Sequence, residues 1–81
     1  MSAIEQLEGV GLPPRVRDQM ERHLGRIAIA ADAGDLHLAQ ARAEGFVQGL
    51  EVAGALNAAT VEALYIAVDN EASARLMELE Q

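Results

Sequence analysis

The chain has 81 residues, is 51% hydrophobic, contains no cysteine and carries a net charge of −7 at neutral pH. That length allows one small domain, and the apolar fraction is too high for a disordered chain. Disulfides and thiolate metal sites are excluded, and no apolar run approaches the roughly 18 residues of a membrane-spanning helix.

Sixteen alanines accompany one Phe, one Tyr and no Trp, so the core must be aliphatic, with helices packed closely over small residues. All six basic residues are Arg. High Ala and Arg without Lys is the bias of a GC-rich bacterial genome, or of a phage or plasmid living in one. The charge is uneven. Residues 1–26 are neutral, whereas residues 27–81 hold nine acids against Arg42 and Arg75. This larger part should repel nucleic acid and anionic membrane and attract a basic protein surface. The acidic start, MSAIEQLEG, has neither the basic nor the apolar region of a secretory signal. A cytoplasmic protein is expected.

Residues 1–12 read as a short, partly ordered leader and residues 13–81 as a single helical domain. In the leader, Ile4 and Leu7 suit one helical turn, which Gly9 and Gly11 break. Pro13 and Pro14 open the first long helix, expected over about 14–33. Val16, Met20, Leu24, Ile27 and Ala31 give it one apolar face. Gly34 is the expected stop and Asp35 the expected N-cap of the next helix, over about 36–53. Gly54 is placed to end that helix, and Asn57 to cap a third, over about 58–79. The core face of the third helix is Val61, Leu64, Tyr65, Val68, Ala72, Leu76 and Leu79. No strand pattern is visible. The expected fold is all-α, a small three-helix bundle made of a helical hairpin plus a third helix, dimerising through the central helix.

The reason for expecting a dimer is that the central helix has two apolar seams. Leu36, Ala39, Ala43, Phe46, Leu50 and Ala53 form one, and Leu38, Ala41, Gly45, Gly49 and Val52 the other. At 100° per residue they point about 140° apart, more than the roughly 60° that separates a helix's two neighbours in a bundle. Small residues at Ala41, Gly45, Gly49 and Ala53 would let another backbone come close. Ile29 on the first helix, and Ile66 with Met77 on the third, also lie off their core faces. The expected interface is therefore Leu38, Ala41, Gly45, Gly49, Val52, Ile66 and Met77, with Glu44, Glu51, Glu62 and Asp69 as acidic docking residues. Arg15, Arg22 and Arg26 form a stripe, expected to be a solvated face paired with Asp18 and Glu21.

Catalytic and metal chemistry is missing from the pattern. His23 and His37 are too few for zinc and have no HExxH or related spacing, so no metal or other cofactor is expected. His23 is expected to be half-buried packing, and His37 exposed. Ser2, Thr60, Ser73 and Tyr65 have no base and orienting acid at useful spacing. Glu44 with Glu51, and Glu78 with Glu80, sit on expected solvated faces that give no reason for a pKa shift. Gly9-Val10-Gly11 lacks the strand, the later Gly and the Lys of a phosphate loop.

The leading expectation is a non-enzymatic, acidic helical protein that binds other proteins, an inhibitor or adaptor docking on a basic surface. In size and charge the chain is similar to small phage- and plasmid-encoded inhibitors, including many anti-CRISPR proteins; no motif carries the likeness. The second expectation is a homodimeric assembly element with no other essential partner. The third is a helix-turn-helix DNA-binding regulator, which the tight turn at Gly34 permits. Against it stand the net charge and a central helix with one Arg.

Overall fold

The computed structural model describes residues 3–81, with side chains from Glu5 onward. Met1, Ser2 and the side chain of Ile4 therefore lie outside the described residues. A single turn, α1 (Ala3–Gln6), precedes three long helices: α2 (Pro14–Ala28), α3 (Ala33–Val52) and α4 (Ala58–Leu79). Among the described residues there is no strand. The three long helices pack against one another, α3 with α4 most extensively, and α1 touches α2 and α4. The molecule measures 38 × 22 × 18 Å, its long axis set by α4, about 33 Å long at 1.5 Å per residue.

The core is aliphatic. Met20, Leu24 and Ile27 from α2, Leu36, Ala43 and Val47 from α3, and Val61, Leu64, Val68 and Ala72 from α4 are buried. The expected leader contributes to this core: Leu7 is fully buried, and Val10 and Leu12 pack against it. Gly9 makes the turn after Leu7 at φ 81°, and Arg17 donates to the carbonyls of Leu7 and Val10. Two carbonyls of a partly buried segment thereby find donors.

The helix ends carry the main departures from expectation. The first long helix stops at Ala28, five residues early. Ala30 turns inward and is buried, while Ala31, expected in the core, is exposed. The Ala30 carbonyl accepts from Arg75 Nε at 2.8 Å, so a residue on α4 satisfies a carbonyl that the α2 terminus leaves open. Asp32, not Asp35, caps α3: it is extended, and its Oδ1 accepts from Asp35 N at 2.8 Å. Gly34 lies inside the first turn of α3 rather than ending α2. Asp32→Ala is expected to cost about 1 kcal/mol in a thermal melt, and Asp35→Ala well under that.

The α3–α4 corner follows the sequence. Gly54 adopts φ 67°, its N–H reaches Glu51 O, and Ala55 N reaches Leu50 O at 3.0 Å. These are the two bonds of a Schellman ending. Asn57 Oδ1 accepts from Thr60 N at 2.8 Å and starts α4. On α4, however, Leu76 is 43% exposed, and Ala67 and Glu71 are buried in places the apolar pattern did not mark.

Candidate functional site

The second seam of α3 stays uncovered when the bundle closes. Leu38 is 51% exposed and Val52 is 82% exposed, with Ala41, Gly45 and Gly49 exposed between them. A Cβ built at Gly45 or Gly49 meets nothing within 4 Å. Glycine in a helix interior costs roughly 1 kcal/mol relative to alanine, and nothing in the folded chain requires it at either position. The first seam takes up the inward side: Leu36 and Ala43 are buried, and Ala39, Phe46 and Leu50 pack against the core. Val47, which belonged to neither seam, is fully buried beside them. Ala53, at the end of the first seam, is exposed as the C-cap.

Ile29 and Leu38, nine residues apart across the turn between α2 and α3, share a groove. It has a volume of about 290 Å³ and is formed by the end of α2 and the start of α3, with Ala39, Arg26 and Arg42 also lining it. Ile29 is 77% exposed. Ile66 and Met77 are exposed too, on α4 at helical positions shared with Glu62, Asp69 and Ser73, and neither lines the α2–α3 groove. The seven expected interface residues therefore occupy two surfaces, one on α3 and one on α4.

The expected acidic docking residues divide in the same way. Glu62 and Asp69 are exposed on the outward face of α4. Glu44 and Glu51 instead approach Tyr65 on the flank of α3 that meets α4. The Tyr65 hydroxyl donates to Glu51 Oε1 at 3.3 Å. Burial raises the Tyr65 pKa above its usual value, and the Glu51 charge, that hydrogen bond and the Glu44 charge raise it further. The arginine stripe lacks the pairs expected of it. Among the described residues the ion pair that forms is Arg75 with Glu78, and Arg15, Arg22 and Arg26 have no pair with Asp18 or Glu21.

Two buried polar groups are left over. His23 is half-buried, as expected, with its ring 5.1 Å from that of Phe46 and its Nδ1 lacking a partner. Burial lowers its pKa, and the Arg26 charge adds to the effect. Glu71 is 3% exposed, and its Oε1 has no hydrogen-bond partner among the described residues. Burial raises its pKa, and the charges of Glu78 and Glu5 act in the same direction. Among the described residues no three or more His, Asp or Glu side chains converge as a metal site would need. No family model, curated protein or solved structure matches this chain.

Proposed function

We propose that this chain is a non-enzymatic binding protein, an inhibitor or adaptor that acts in the bacterial cytoplasm by docking on a basic protein surface. The observation that carries the reading is the uncovered outer face of α3, where Leu38 and Val52 stand exposed around two glycines that the fold itself does not need. Exposed apolar patches with polar borders are characteristic of protein–protein contacts. Leu38 and Val52 are the anchors in this scheme, and the carboxylates of Glu62 and Asp69 guide the encounter. In size and charge the mode suits small phage- and plasmid-encoded inhibitors, anti-CRISPR proteins among them.

A second reading, a homodimeric assembly element, has an observation of its own. The seam is symmetric about Gly45: Ala41 and Gly49 lie four residues to either side, and Leu38 and Val52 seven. Two α3 helices crossing antiparallel at Gly45 would set Leu38 against Val52 at both ends, with the smallest residues at the centre. Such a contact is isologous and closes as a dimer.

The test of the contact reading is affinity capture from a bacterial lysate with wild-type, Val52→Glu and Gly45→Leu baits of equal helical signal. A protein held by the wild type and lost from both variants supports the reading. Identical capture by all three baits overturns it.

A further inference from the structure

Two uncovered surfaces of this chain have matching shapes of charge. The first is the groove between α2 and α3. Ile29, Leu38 and Ala39 give it an apolar lining, and Arg26 and Arg42 line it as well, one from each helix. Among the described residues neither guanidinium has an ion-pair or hydrogen-bond partner. Asp35 lines the groove as well and contributes a carboxylate. The second surface is the outward face of α4. Glu62, Ile66, Asp69, Ser73 and Met77 recur every three or four residues and are all exposed. There an apolar side chain, Ile66, stands between two carboxylates.

We propose that the outward face of α4 on one copy of this chain docks in the Arg26–Arg42 groove of a second copy. Ile66 enters between Ile29 and Leu38, and Glu62 and Asp69 meet the two guanidinium groups. Glu62 precedes Ile66 by four residues and Asp69 follows it by three, so the Cβ of each acid stands about 5–6 Å from that of the apolar anchor on the same helix face. Arginine–carboxylate pairs of this kind are charge-assisted and geometrically selective. The contact rests on the contact reading above and takes the basic surface from the chain itself.

The two surfaces are different patches, one at the α2–α3 corner and one on α4, and they share no residue. The contact is therefore heterologous, linking copies head to tail rather than closing a symmetric pair. The net charge of −7 opposes association between copies over long distances. At about 0.15 M salt, charges are screened beyond roughly 8 Å, and the local pairs then decide the outcome.

The experiment is light scattering behind size exclusion on the full chain at that salt, over a wide concentration range. The wild-type mass is expected to climb past that of a dimer as concentration rises. Arg26→Glu with Arg42→Glu, and separately Glu62→Arg with Asp69→Arg, are expected to run as monomers with wild-type circular dichroism. An equimolar mixture of the two double variants is expected to regain the heavier species, because each reversed surface now matches the other's. A wild type that stays monomeric, or a mixture that does, overturns the proposal. Association that survives both reversals but is lost in Val52→Glu also overturns it, and assigns the self-contact to α3 instead. A monomer throughout removes the second copy as the occupant and leaves the capture experiment to decide the wider contact reading.

Discussion

Leu64→Ala is expected to leave most of the chain unfolded at room temperature. Leu64 is completely buried in the first half of α4, the helix that packs against all three others. Removing three carbons there loses their burial and opens a cavity that rigid neighbours fill only in part, together worth about 2–5 kcal/mol. A single core of this size supplies roughly 3–5 kcal/mol, so the loss is comparable with the whole stability. Leu38→Ala provides the control. Leu38 is 51% exposed, and its truncation should move the thermal midpoint little. Circular dichroism melts of the two variants check this: a folded, cooperative Leu64→Ala would mean that the core lies elsewhere.

The second large effect runs in the opposite direction. Glu71→Met should stabilise the protein at neutral pH by about 1–3 kcal/mol, the usual cost of leaving a buried polar group without a partner. Glu71 is 3% exposed, and among the described residues its Oε1 has no hydrogen-bond partner. Methionine keeps the unbranched stem and removes the charge. The sign of the pH dependence follows from the raised pKa. The folded protein binds this proton more tightly than the unfolded chain does, so the stabilising contribution is present below the ordinary carboxylate value of 4.5. It is lost as pH rises through the folded value. The stability difference between variant and wild type should therefore grow from pH 4.5 toward neutrality in urea denaturation. A difference that stays flat over that interval would show that Glu71 is not held in an unfavourable site. His23 acts in the opposite sense. Its lowered pKa gives stability that is present above 6.5 and lost as pH falls through the folded value. Because His23 is common to both chains, the comparison of variant with wild type isolates the Glu71 contribution.

What sequence reading captured and what it missed have physical causes. Gly54 and Asn57 act locally, through a left-handed backbone and a side-chain cap, so the α3–α4 corner was legible from a few residues. The two seams of α3 were legible because helical periodicity sorts residues into faces without knowledge of the partner helices. The end of α2 was not. Ala28-Ile29-Ala30-Ala31 continues the apolar periodicity, and the stop depends on Arg75, 45 residues away, bonding the Ala30 carbonyl. Gly34 resembles a terminator, yet Asp32 captures the next helix one turn sooner. Glu71 was missed because composition marks glutamate as exposed, whereas here it is buried. That Ile29 and Leu38 line one groove likewise required the corner to be built, since Ile29 caps the end of α2 and Leu38 lies on α3.

The arginines show how a charge tally can mislead about local character. A chain of net charge −7 still presents a groove edged by two unpaired guanidinium groups among its described residues. Arg17 and Arg75 are different. They hold backbone carbonyls and serve the fold. Net charge governs long-range steering, while recognition at contact depends on which side chains are left uncommitted.

The central claim is that the outer face of α3 is surplus to the fold and available for contact. Equilibrium urea denaturation of Val52→Glu tests it most directly. Val52 is 82% exposed, so the account predicts an unfolding free energy within about 0.5 kcal/mol of wild type. A loss of about 2 kcal/mol or more would contradict it, because an exposed surface position should not produce so large an effect. The outer seam would then belong to the structure that holds this chain together, not to a surface it offers to others.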